Sequence, residues 1–232
     1  MADGISVWVP VISVLAGSVL TGTIQFFMNR QNHLFALERE QKATADRLLN
    51  EKQAAEDELQ KERHFIATEL VFMLEQFAES CADVATDDGE ENDDPQPVKE
   101  AVAVFPVMDL KDVSGNWRVL PPRLMYRIHE IPVLLSEARM FIEHARETDD
   151  SGEYRDFFRE RRYQSARLGL KAIILAKRLR KLAKFPGTRL DALPWSAQPV
   201  LWDVWRNERR RRAAEAFENR DFSDTEFVEM AP

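Results

Sequence analysis

Residues 5–28, ISVWVPVISVLAGSVLTGTIQFFM, hold no Asp, Glu, Lys, Arg or His. At about 1.5 Å per helical residue, such a stretch is long enough to cross a hydrocarbon core of about 30 Å. A secretory signal peptide would carry a basic n-region and a shorter apolar core, whereas the only charged side chain before this stretch is Asp3. A buried core helix this apolar would sit among other strongly apolar segments, yet a highly charged segment follows. The stretch reads as a transmembrane anchor, residues 1–28, and everything after it is then confined to one side of a membrane.

No Lys or Arg precedes the stretch, and Arg30, Arg39 and Lys42 follow it. The excess of basic residues near the cytoplasmic end of a span places the N-terminus outside and the long C-terminal part in the cytoplasm. Trp8 would then lie near the outer interface. Small residues recur four apart in the span, Ser13, Gly17 and Thr21 on one line and Ser18 and Gly22 on the next. Such a stripe lets helix backbones approach closely and can drive dimerisation; small residues are also simply common in membrane helices.

Of the 232 residues, 31% are charged, which leaves room for one span and one modest polar domain but not for several spans. Glycine is scarce, at 8 residues, and this suits long helices. Cys81 is the only cysteine, so an intramolecular disulfide is ruled out. The net charge of −8 conceals an asymmetry. Residues 83–112 hold ten acids and two bases, residues 151–212 hold 17 bases and six acids, and residues 213–232 hold six acids and one base.

Residues 29–80 contain neither Gly nor Pro and read as helix. Opposite charges recur four apart at Glu38–Lys42, Arg47–Glu51 and Lys52–Glu56, which supports an exposed charged stalk over 29–63. Leu34, Leu37, Leu48, Ala55 and Leu59 hint at a coiled-coil heptad, but Lys52 and Glu62 interrupt it, and a solitary helix is the simpler reading. From Leu59 an apolar face emerges at Ile66, Leu70, Met73, Phe77 and Cys81, widened by Phe65, Val71 and Leu74. This face opens a helical bundle over 64–219.

Residues 83–97 are acidic, end in two prolines, and read as a disordered surface loop. Their spacing does not fit a calcium loop of the EF-hand type. Val102, Val104, Phe105 and Val107 are expected to be buried in a short helix or strand. Trp117, Val119 and Leu120 are expected to pin a loop onto the bundle. A helix over 122–147 carries Leu124, Ile128, Ile131, Leu135, Ala138 and Ile142 on one face, with Pro132 expected to kink or split it. A helix over 153–184 carries Leu168, Ala172, Leu175, Leu179 and Leu182, with Leu170, Ile173 and Ile174 broadening the face toward full burial. Pro186 and Gly187 should stop it. A last helix spans 200–219, and an acidic tail, frayed after Arg220, spans 220–232.

The histidines, His33, His64, His129 and His144, match neither HExxH nor the paired Glu-x-x-His of a di-metal bundle. With no Gly-rich phosphate loop and no nucleophile motif, the chain is not read as an enzyme, and nothing points to a metal or cofactor. The strongest chemical signal is basic: Lys177, Arg178, Arg180, Lys181 and Lys184, with Arg206, Arg209, Arg210, Arg211 and Arg212. These side chains can pair with the chain's own acids or stand in solvent, meet anionic lipid headgroups, or neutralise nucleic-acid phosphates, in that order of preference.

At NWRVLPPRLMYRIHEIP and RRYQSARLGLKAIILAKRLRKLA the chain resembles uncharacterised bacterial proteins with one N-terminal span and a helical cytosolic part. No activity attaches to that group. The resemblance implies a bacterial inner membrane and carries over no catalytic residue. The sequence thus predicts an all-α protein with a single-pass anchor, a charged stalk and a cytosolic helical bundle. Its expected role is a non-enzymatic scaffold or interaction protein, with an unidentified protein partner and homo-oligomerisation open. The alternative is a membrane-tethered binder of anionic lipid or, less favoured, nucleic acid through the arginine segment.

Overall fold

The structure is a computed structural model. It describes the backbone of residues 8–91, 99–149 and 154–229, and the side chains of these except 8–27, 29, 31–34 and 219–229. The chain is mostly helical, in the order α1 (Trp8–Ala85), β1 (Glu90–Glu91), β2 (Lys99–Glu100), a 3-10 turn (Trp117–Val119), α2 (Pro122–Thr148), α3 (Arg155–Leu182) and α4 (Ala197–Glu229). Among the described residues no helix is long and apolar enough to cross a membrane. The side chains of the expected anchor up to residue 27, including Ser13, Gly17, Ser18, Thr21 and Gly22, lie outside the described residues.

The chain divides into two compact units, Met1–Glu58 and Leu59–Pro232. In the first, every described side chain is exposed, including Phe35, Leu48 and Leu49. Over residues 35–58, scattered apolar residues between charges supply no continuous stripe to bury, so helix there rests on local propensity and the absence of Gly and Pro.

The second unit holds the core. The C-terminal part of α1 contributes Ile66, Leu70, Val71, Leu74, Phe77 and Cys81, all named from spacing, together with Ala78; Met73, also named, is only partly buried. Phe65 is a correction: it is 54% exposed, standing beside the loop at Gly115 instead of widening the core. In α2 the buried residues are Leu124, Ile128, Ile131, Leu135, Ala138 and Ile142. The helix runs on through Pro132, and the Ser136 hydroxyl donates to the Pro132 carbonyl at 3.1 Å. In α3 twelve residues are buried, more than one stripe requires, because this helix has neighbours on several sides.

Local chemistry sets the ends of α3. Asp149 caps its start, its carboxylate accepting from Asp156 N at 2.7 Å and Phe157 N at 3.3 Å. At the other end Lys184 takes a left-handed φ of 56° and Phe185 N reaches back to Arg180 O at 2.8 Å. That closure is of the Schellman type, one step before the Pro186 and Gly187 expected to stop the helix.

Three further expectations are corrected. The acidic loop begins later than 83: α1 runs through Ala85, Val84 is fully buried, and residues 90–91 pair antiparallel with 99–100. Residues 92–98 lie outside the described residues. Val102, Val104 and Val107 are exposed, while Met108 and Pro106 turn inward, because 101–110 crosses the bundle as an irregular strap, not a helix or strand. The last helix begins at Ala197 and is helical through Glu229, past the Arg220 at which fraying was expected. The loop after the strap is pinned as foreseen. Leu120 is buried, Trp117 packs on His129 with ring centroids 4.5 Å apart, and Asn116 Nδ2 donates to Glu62 at 2.8 Å.

Candidate binding surface

Helix α3 is the hub of the second unit. Gly169 marks its closest approach to two neighbours: a Cβ there would lie 2.7 Å from a Leu201 methyl of α4 and 2.8 Å from the Cys81 Cβ of α1. Burial in this contact pushes the Cys81 thiol pKa up, so it packs as a small apolar residue.

The charged side chains of α3 latch the surrounding elements. Arg161, almost wholly buried, donates to Asp87 at 2.6 Å and to the Ala103 carbonyl. The Asp87 carboxylate also accepts from Gly89 N and Ala103 N, each at 2.9 Å. Burial alone would raise the Asp87 pKa; the two amides and the Arg161 charge outweigh it and hold the carboxyl below its ordinary value. Arg180 grips Glu75 of α1 with two nitrogens, at 2.7 and 2.8 Å. Glu75 follows the same pattern, with burial opposed and overcome by Arg180 and the Thr188 hydroxyl. Lys171 reaches Glu130 of α2 at 2.7 Å.

Between α3 and α4 lies a network. Arg159 bonds Glu208 at 2.8 Å and Glu215 at 2.6 Å, and Arg212 bonds Glu208 at 2.7 Å and also Glu160. Arg212 further stands 4.1 Å over the Tyr163 ring. Burial works against the charge on Arg159 and Arg212, and the surrounding carboxylates more than restore it.

The expected basic segment is therefore divided. Lys177 binds Asp191 at 2.7 Å and Gln198 at 2.6 Å; Arg180, Arg211 and Arg212 pair with Glu75, Glu215 and Glu208. Arg209 stands over the Trp205 ring at 5.6 Å. Among the described residues, Arg178, Lys181, Lys184, Arg206 and Arg210 are exposed and make no ion pair. These free cations do not form one patch. α3 and α4 run antiparallel, with Lys177 beside Gln198 and Arg159 beside Glu208. At about 1.5 Å per residue, roughly 27 Å of helix separates Lys177 from Arg159. Lys181 and Lys184 lie beyond the first of these levels, whereas Arg206 and Arg210 flank the second.

Two of the histidines make ring contacts. His64 packs 5.7 Å from the Phe185 ring and His129 on Trp117. Among the described residues no group of three or more His, Cys, Asp or Glu is placed to hold a metal.

Spacing did not reveal a cleft between α3 and α4, with a volume of about 540 Å³. Leu170, Ile173 and Ile174 of α3 and Trp202 and Trp205 of α4 form its floor. Arg167, Lys171 and Lys177 stand along its α3 edge, and Gln198 faces them. Ile174, expected to approach full burial, is 52% exposed, and Trp202 is 48% exposed. The available signal was the breadth of the apolar arc on α3: Leu170 and Ile174 lie off the Leu168–Ala172–Leu175–Leu179 line and need not face the core.

In comparisons with known proteins, no family model matches the chain, and no match was found among curated proteins or solved structures. What the fold defines is thus its class: an all-α protein whose second unit is a helical assembly organised by α3.

Proposed function

We propose that this is a single-pass membrane-anchored, non-enzymatic interaction protein whose helical second unit serves partners at the cytoplasmic face of a bacterial inner membrane. The observation that carries the reading is the uncharged apolar run of residues 5–28, with Arg30, Arg39 and Lys42 after it. Two features support it. Residues from Leu59 onward build a core of their own, which suits a domain displayed on a tether. That domain also leaves an apolar cleft open on its surface. Tethering would act by concentration: confining the domain to a membrane raises its effective concentration toward other membrane-bound molecules.

The test is fractionation of cells expressing the full chain with a fluorescent protein at its C-terminus. A fluorescent membrane rim that resists alkaline carbonate extraction is expected, and Leu15→Lys should release it by making insertion unfavourable. Diffuse fluorescence from the unsubstituted chain would overturn the anchor. A membrane-bound but dark fusion would place the domain on the other face.

A further inference from the structure

We infer that the cleft between α3 and α4 is a binding site for a single-chain amphiphilic anion, a long-chain fatty-acid carboxylate. The site's chemistry carries this independently of whether residues 5–28 cross a membrane.

The floor is apolar along its length. Ile173 and Ile174 stand three and four residues after Leu170 on α3, and Trp202 and Trp205 sit three apart on α4 with ring centroids 5.1 Å apart. Antiparallel helices keep this floor a narrow trough, about 15 Å long from Arg167 to Lys177. Its volume of about 540 Å³ lies within the range of roughly 300–1,000 Å³ typical of small-molecule sites.

The polar groups differ between the two ends. At one end Lys177 bridges Gln198 at 2.6 Å and Asp191 at 2.7 Å, which ties α3 to the start of α4 and closes the trough. At the other end stands Arg167. Its nearest carboxylate is Glu137 at 3.9 Å, too far for a hydrogen bond, and among the described residues it makes no other polar contact. Its guanidinium therefore keeps its donors available, in a fork that matches a carboxylate. No acidic side chain lines the cleft. An apolar trough closed by a hydrogen-bonded lysine at one end, with an arginine held only by a 3.9 Å ion pair to Glu137 at the other, suits one alkyl chain and one anionic head. The alkyl chain would cover Ile174 and Trp202, and the head would meet Arg167.

The probe is palmitic acid carrying a diazirine near its methyl end, with the matching fatty alcohol as comparator. The full chain is held in nanodiscs of zwitterionic lipid, or in buffer if it purifies without detergent. Photolabelling is mapped by mass spectrometry. Saturable labelling of the peptides holding Ile174 and Trp202, displaced by unlabelled palmitate, is expected. Arg167→Gln should weaken labelling by the acid roughly ten-fold or more, the value of a hydrogen bond to a charged group, and leave the alcohol unaffected. Unchanged melting of Arg167→Gln would show that its fold is intact, and the half-exposed Ile174→Asp gives a second variant in which acid labelling should be lost. Equal labelling by acid and alcohol, or labelling confined to residues 5–28, overturns the proposal. So does a tightly co-purifying polypeptide that blocks the cleft until it is stripped, since that would assign the site to a protein.

Discussion

Residues 35–58 of α1 and helix α3 are both helical and both rich in charge, yet they occupy opposite environments. Every residue in the first is exposed, whereas twelve residues in the second are buried, one of them an arginine. Charge content does not separate them. Spacing does: the Leu168, Ala172, Leu175 and Leu179 line gives α3 a face to bury, and nothing comparable runs through 35–58. Once a helix is buried for that reason, its charges must find partners, and α3 finds them in Asp87, Glu130, Glu75 and Glu208. The ion pairs follow from the packing and fasten elements that hydrophobic contact has already brought together.

The largest test of this difference is Arg161→Ala. It strands the Asp87 carboxylate in a buried site, and a loss of about 3–5 kcal/mol is expected in urea unfolding followed by near-ultraviolet circular dichroism. In the stalk, Leu48→Ala should change the same quantity by no more than about 0.5 kcal/mol. A small effect at Arg161 would mean that the latch is dispensable and that the two regions differ only in apolar contact.

Gly169→Ala probes the packing itself. A methyl must push aside a Leu201 methyl and the backbone-fixed Cys81 Cβ, so a cost of about 1–3 kcal/mol is expected by the same measurement. A stabilised variant would show that α1, α3 and α4 have slack at this contact.

Acid sharpens the comparison further. Asp87 and Glu75 have folded-state pKa values below their ordinary ones of about 3.9 and 4.3. The unfolded chain therefore binds more protons as pH falls through that range. Their stabilising contribution is complete above about pH 5 and is lost as pH drops through about 4 toward the folded values. The urea midpoint should fall between pH 5 and 3, and less steeply in Asp87→Asn and Glu75→Gln. Equal slopes in all three proteins would detach these pairs from acid sensitivity. The smallest effect is expected for Arg211→Ala, which removes an exposed pair with Glu215 and should leave the melting midpoint unchanged within error.

Much of the helical plan was legible in the chain because periodicity is a local property. The α2 stripe is the six residues named from spacing, and α2 starts at Pro122, where a proline suits the first turn. The strap at 101–110 was not legible, since short apolar runs do not say which side meets the core: Val104, expected inside, is exposed, and Met108 turns inward. The cleft was not legible either. Whether Ile174 and Trp202 are buried depends on how far apart α3 and α4 stand at that level, and Gly169 with Leu201 sets their approach from one side only.

The sequence by itself determined the uncharged run at 5–28, the all-α class, the stripe on each core helix and the excess of bases over 151–212. Tertiary structure decided the distant partners of those bases. Antiparallel packing sent the two halves of the basic segment to different levels, paired Arg180 with Glu75 and Arg212 with Glu160 and left Arg167 without a carboxylate in hydrogen-bond reach, whereas the Arg211–Glu215 and Arg212–Glu208 pairs, four residues apart on α4, are local. The physical reason is range. A helix and its apolar face follow from neighbours three and four residues away, whereas a salt bridge such as Arg180–Glu75 joins residues 105 apart and exists only once the core has set their distance.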